Sequence, residues 1–160
     1  MDVEDKSFAI LRILAGVVWL IDAASKLSPA FFSNFTSYLA HGAAGQPALV
    51  QAWVDLWVRG AGVNPHFFAI VVVVSEMAIA IGLIFGLLTD IALIGGIAMT
   101  LVIWSTAQGF GGPYVAGSTE IGSTAVYAIT FIALWIGKSW RAYSIDSVLK
   151  GKLPALYRHW

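Results

Sequence analysis

Asp22, Lys26, Glu76 and Arg12 are ionisable residues inside stretches otherwise suited to lipid, and they carry most of the chemistry open to this chain. Asp22 and Lys26 are spaced i, i+4 in the apolar run from Phe8 to Leu27, so on a helix they meet as an ion pair. Arg12, Trp19 and Lys26 recur at seven-residue intervals in the same run and share one face, which must turn inward. Glu76 is the single charge in the run from Phe67 to Leu88 and has no charged neighbour on its own turn. Charge inside a membrane is costly, so each of these groups needs a partner or a task.

Two further stripes join them. Thr100, Trp104 and Gln108 recur at i, i+4, i+8, and Glu120, Ser123, Thr124, Tyr127 and Thr130 share a helical face. Counted from the outer helix ends, Asp22 lies about 8 Å down, Glu76 about 14 Å, Trp104 about 5 Å and Tyr127 about 9 Å. Arg12 falls near the inner end instead. Asp22, Lys26, Glu76, Trp104 and Tyr127 are therefore expected around one apolar cavity in the outer half of the membrane. That make-up suits a quinone headgroup, whose carbonyl needs a donor and whose reduction needs a proton relay. Glu76 and Asp22 are the candidate proton carriers, and Lys26 the carbonyl or anion partner. The plainer reading makes Asp22–Lys26 a satisfied pair and Glu76 internal glue to Arg12 or Lys26. Under it Arg12 snorkels to the inner headgroups, and Trp104 and Tyr127 are core packing.

The segment from Gly109 to Glu120 holds four Gly and a Pro, enough for a folded-in turn. Gly117-Ser118 can cap the following helix, and Ser118 and Thr119 offer hydroxyls to an oxyanion beside Lys26. Glu120 opposes an anion there by repulsion, and a plain re-entrant loop is the alternative.

Four long apolar runs must position these groups: 8–27, 67–88, 91–107 and 121–136. Each crosses, or nearly crosses, a hydrocarbon core of about 30 Å at about 1.5 Å per residue. The expected fold is an all-α membrane protein, a four-transmembrane-helix bundle in a single domain spanning 1–160. Residues 30–58, between the first two runs, show aromatic and aliphatic residues at helical spacing: Phe31, Phe32, Phe35, Tyr38 and Leu39, then Leu49, Trp53, Leu56 and Trp57. They read as two amphipathic helices in the outer interface, either an anchor belt or a shelf guarding a lateral entrance. Thr89-Asp90 reads as a tight inner hairpin, and 138–160 as a cytoplasmic tail. Seven of the nine Lys and Arg fall inside if both termini are cytoplasmic.

Composition agrees. The chain is 59% hydrophobic and only 11% charged, with a mean hydropathy of +0.81 and zero formal net charge, so nucleic acid is not an expected partner. The absence of Cys removes disulfides, thiolate metal sites and iron–sulfur clusters carried by this chain alone. His41, His66 and His159 lie outside the runs and share no helix at ligand spacing, so neither haem nor a structural metal is expected.

Arg12-x3-Gly16-x2-Trp19-x2-Asp22-x3-Lys26-Leu27 and Ser75-Glu76 followed by Gly82-Leu83-x2-Phe85-Gly86-Leu87 resemble the first two spans of the DoxX/DoxD family of bacterial and archaeal four-span membrane proteins. Gly112-Pro113-Tyr114, Gly117-Ser118-Thr119-Glu120-Ile121-Gly122 and Tyr127 resemble its DoxD branch, and the likeness runs from about Phe8 to Ile136. The resemblance implies a plasma-membrane subunit of a thiosulfate:quinone oxidoreductase, with thiosulfate oxidised to tetrathionate and electrons passed to quinone. By position it marks Arg12, Asp22, Lys26, Glu76 and the loop from Tyr114 to Glu120. It further implies respiratory membrane partners, such as a small second subunit, with a homodimer as the alternative. A non-catalytic accessory subunit packed against a terminal quinol oxidase is the competing function class, favoured by the absence of a visible electron carrier.

Overall fold

The computed structural model describes residues 2–112 and 121–152. All regular structure among them is helical. Helix α1 (Val3–Ser25) begins at Asp2, whose carboxylate accepts from the Val3 amide, with Glu4 and Asp5 favourably placed in the first turn. Three short helices follow: α2 (Pro29–Ser33), α3 (Phe35–Ala40) and α4 (Ala48–Gly62). The long helices α5 (Pro65–Phe85), α6 (Thr89–Ser105) and α7 (Ser123–Ile136) complete the body, and α8 (Ile145–Lys152) ends the described chain.

Helices α1 and α5 are long and apolar enough to cross a membrane, while α6 and α7 are shorter apolar helices. α1 packs along α5, α5 against α6 and α6 against α7, and α7 returns to touch α1. Small residues permit the close approach. A Cβ on Gly16 would stand 2.9 Å from Ile84 Cγ1, and one on Gly96 would stand 2.7 Å from the Phe131 ring. The core between them is Ala15, Trp19, Ile79, Leu83, Leu93 and Phe131 with their neighbours. Large apolar side chains such as Leu14, Ile21, Val74, Ile94 and Ile129 instead cover the outside.

The helices start and stop a few residues from the expected boundaries because polar caps, not hydropathy, set their ends. Asn64 accepts from the Phe67 amide ahead of Pro65, so α5 begins earlier than 67. Gly86, at φ +62°, stops it before Leu88. The hairpin to α6 is therefore 86–88, and Thr89 already belongs to α6. The interfacial segment runs to Gly62 rather than 58 and holds three helices, not two. Asn34 makes the difference: its side-chain amide donates to Ala30 O, and its backbone leaves the helical region at φ −116°.

The shelf formed by α2–α4 is locked onto the end of α6 at Gly42. A Cβ there would lie 1.8 Å from Thr106 O, so only glycine allows the contact. Gln46 Nε2 adds a bond to Gly109 O at 3.0 Å.

The opposite end of the bundle is organised by Arg12, which is fully buried. Its Nε donates to Leu83 O at 2.9 Å, Nη1 to Ser139 O at 2.7 Å and Nη2 to Tyr143 O at 2.7 Å. Residues 138–152 thus pack against the end of the bundle. There Asp146 accepts from the amides of Leu88 (2.9 Å) and Thr89 (2.7 Å) and from the Thr89 hydroxyl (2.7 Å), capping α6.

Arg12→Leu removes the donor from three main-chain carbonyls, two of them in buried contacts. The variant is expected to lose about 3 kcal/mol or more of stability, read as a lower unfolding temperature in detergent. Arg12→Lys should fall between the two, since one ammonium cannot reproduce the fork.

Candidate functional site

At the shelf end, Lys26 reaches from the last turn of α1 toward the middle of α5. Its Nζ donates to Asp22 Oδ2 at 2.6 Å and to both oxygens of Glu76, at 2.7 and 2.8 Å. The length of the lysine stem bridges the depth difference between the two carboxylates. Glu76 is fully buried and the Lys26 side chain is 10% exposed, whereas the Asp22 side chain is 54% exposed. Lys26, not Arg12, is therefore the partner of Glu76. The triad holds two carboxylates and one ammonium, so with every group ionised it carries a net single negative charge.

Three cavities meet at this triad, and Lys26 and Tyr38 line all of them. The first, about 360 Å³, is a strongly apolar pocket beneath the shelf. Phe31, Phe35, Trp57, Phe68, Met99 and Ile103 form much of its wall, and Lys26 and Glu76 are its only charged lining residues among those described. The second, about 590 Å³, is an open polar vestibule lined by Asp22, Ser25, Lys26, Ser28, Asn34, Ser37 and His41, among others. The third is a small chamber of about 140 Å³ between α1, α3 and α7. Glu76 thus faces the apolar pocket while Asp22 faces the vestibule and the chamber.

Aromatic contacts hold the shelf rigid over the pocket. Phe31 packs edge-on against both Phe35 and Tyr38, each at 5.5 Å between centroids. Burial pushes the Tyr38 hydroxyl pKa up, with the nearby Lys26 ammonium pulling the other way. Tyr38 therefore stays a protonated donor throughout the neutral range.

The candidate residues do not all converge. Asp22, Lys26 and Glu76 come together, but Arg12 is at the far end of the bundle, held by carbonyls behind the apolar core. It neither reaches the pocket nor snorkels outward. Trp104 lines none of the three cavities: its Nε1 donates to Ile121 O at 2.6 Å, and its ring meets Phe110 edge-on at 5.1 Å. It ties the end of α6 to the approach to α7. Tyr127 lines the small chamber, not the apolar pocket, because Trp19 stands edge-on against it at 5.4 Å. The expected single cavity is divided by Lys26. Tyr114, Ser118, Thr119 and Glu120 lie outside the described residues. The pocket residues that helical patterning of the spans did not reveal are Tyr38, Trp57 and Gly60, which belong to the shelf. Their amphipathic spacing was the available signal.

Buried charges enclosed by an apolar exterior define a membrane-embedded helical protein. The DoxX family model matches residues 7–109, and the chain belongs to the DoxX family of membrane proteins. No curated protein and no solved structure matches it. The matched stretch contains Asp22, Lys26 and Glu76 but stops before Gly112–Tyr127, the part that resembles the DoxD branch.

Lys26→Met strands Glu76 as a buried, unpaired carboxylate. It is expected to destabilise the protein by about 3–5 kcal/mol, while Glu76→Gln and Lys26→Met together should recover much of the loss. A double-mutant cycle on thermal unfolding measures the coupling; additive losses would mean the pair is not a unit.

Proposed function

We propose that the chain is a four-span membrane subunit that binds quinone in the apolar pocket, with Lys26 and Glu76 meeting the headgroup. The observation that carries this is the pocket itself. It has a volume in the range of small-molecule sites, aromatic walls and one buried, hydrogen-bonded ion pair on its floor. The shelf gives a lipid-soluble ligand a roof at headgroup depth, and its exposed Leu49, Leu56 and Val63 suit insertion into the interface. α6 and α7, at about 26 and 21 Å, serve as the third and fourth spans. Their outward faces, Ile94, Leu101, Val126, Ile129 and Ile132, are as apolar as those of the longer helices. The bias of Lys and Arg favours a plasma-membrane orientation with both termini cytoplasmic and the shelf outside.

In this reading a Lys26 N–H donates to a quinone carbonyl oxygen, and Glu76 exchanges the proton that reduction requires. The finer assignment is thiosulfate:quinone oxidoreduction. Two thiosulfates join to tetrathionate and release two electrons, and quinone takes up those electrons and two protons to become quinol. In the vestibule beside Lys26, Ser25, Ser28, Asn34 and Ser37 offer donors to an oxyanion against the net negative charge of the triad. Further respiratory subunits complete the complex.

Quenching of tryptophan fluorescence by a short-chain quinone analogue, with the full chain in nanodiscs, tests the pocket. A Cβ on Gly60 meets no atom within 4 Å, although Gly60 lines the pocket. Gly60→Phe is therefore expected to fold and to weaken quenching roughly tenfold, about 1.4 kcal/mol. The Lys26→Met/Glu76→Gln double variant should do the same. Unchanged affinity in both would leave the accessory-subunit reading.

Topology is tested separately. The chain has no Cys, so a single Asp55→Cys site, at an exposed charged position of the shelf, should react with an impermeant thiol reagent from outside intact cells. A reporter fused after Trp160 should read as cytoplasmic.

A further inference from the structure

Behind Lys26, on the side away from the apolar pocket, the small chamber has a wall unlike the others. Trp19 is 2% exposed, lines this chamber, and its Nε1 has no hydrogen-bond partner among the described residues. Its ring is held between Tyr127 and Phe131, edge-on at 5.4 and 5.2 Å, so it has little freedom to turn toward another acceptor. A buried N–H left unpaired costs about 1–3 kcal/mol, and the chamber that Trp19 lines has room for an acceptor. Gln108 and Ser123 add polar wall, with Gln108 Nε2 donating to Ser123 Oγ at 3.1 Å and its Oε1 accepting from Thr124.

Charge decides what fits. The adjoining triad already holds two carboxylates against one ammonium, which disfavours an anion, and the indole N–H disfavours a cation. A neutral acceptor remains. At about 30 Å³ per molecule, the chamber's volume of about 140 Å³ accommodates about four waters.

We infer that this chamber is an internal water site, and that with the Asp22–Lys26–Glu76 triad it forms a proton inlet opening on the shelf face. The proton-transfer part rests on the quinone reading above. Lys26 passes a proton to the Glu76 carboxylate and takes one from protonated Asp22. The net movement is one proton from Asp22 to Glu76, with Lys26 restored and Glu76 recharged for the quinone. Chamber water hydrogen-bonds the briefly neutral amine. The titratable groups facing Lys26 are Asp22 from α1, Glu76 from α5, Tyr38 from α3, His41 across the vestibule and Tyr127 from α7 across the chamber; α6 contributes the apolar Ile103. Toward the Arg12 end the path is closed by the packed core of Trp19, Ile79, Leu83, Leu93 and Phe131.

The test uses the full chain in nanodiscs with isotope-labelled tryptophan, the Trp19 indole being assigned by comparison with Trp19→Phe. Its N–H should show magnetisation transfer from water and exchange with deuterium within minutes. Ser123→Leu, which fills the chamber, should abolish the transfer and slow exchange roughly tenfold or more; Ser123→Val is the smaller filler if the first does not fold. In native membranes the filled variant should lose quinone-linked turnover several-fold while binding the quinone analogue as before. An indole that stays protonated for hours in the unmodified chain overturns the water site. A filled variant with undiminished turnover overturns the inlet. Failure of the unmodified chain to bind the quinone analogue instead overturns the quinone reading, and the water site then stands on the exchange result.

Discussion

One ammonium shared by two carboxylates, with the deeper carboxylate fully buried, is the constraint around which the shelf end of the molecule is built. Neither Glu76 nor Lys26 can face hydrocarbon without a large desolvation penalty, and neither can be left alone inside the bundle. The pair therefore holds α1 against α5. Small residues along α1, Gly16 among them, let the two backbones approach closely enough for the lysine to reach. Asp22 anchors the same ammonium from the wet side, so Lys26 is at once a structural strut and the boundary between a polar vestibule and an apolar pocket.

The far end solves the same problem differently. Arg12 is buried and is satisfied by main-chain carbonyls from α5 and from Ser139 and Tyr143, with Asp146 close enough to act through space. A guanidinium, with five donors in a fixed fork, is well matched to several carbonyls at once. Between the two polar knots lies an apolar core that carries no charge. This division gives the protein one end with a roofed apolar pocket and one end tied by main-chain carbonyls, where the cavity lined by Asp2, Glu4, Asp5, Lys138 and Arg141 is polar. It also explains why the groups suited to chemistry gather beneath the shelf.

The shelf turns this arrangement into a ligand site. Without α2–α4 the ion pair would look out toward lipid; with them it becomes the floor of a roofed pocket. The roof depends on a few close contacts, above all Gly42 against Thr106 and the edge-on packing of Phe31 with Phe35 and Tyr38. Tyr38 and Trp57, which line the pocket, come from interfacial helices whose spacing marks them as amphipathic, not as site residues.

Much of this was legible in the amino-acid sequence, because hydropathy and charge act locally. The apolar runs, the i, i+4 meeting of Asp22 and Lys26, the isolation of Glu76 and the amphipathic aromatics between the first two runs follow from helical periodicity alone. The choice between Lys26 and Arg12 as the partner of Glu76 did not, since both lie on one face of α1 and only the stagger of α1 against α5 decides which side chain reaches. Nor did the fate of Trp104 and Tyr127. Both point inward by periodicity, yet one is taken by the Ile121 carbonyl and the other is set apart by the Trp19 ring. The role of Asp146 was equally hidden, because an N-cap supplied from 57 residues away leaves no local pattern. Periodicity determines which face of a helix avoids lipid; which buried groups share a cavity depends on distances between helices, and those exist only once the bundle has closed.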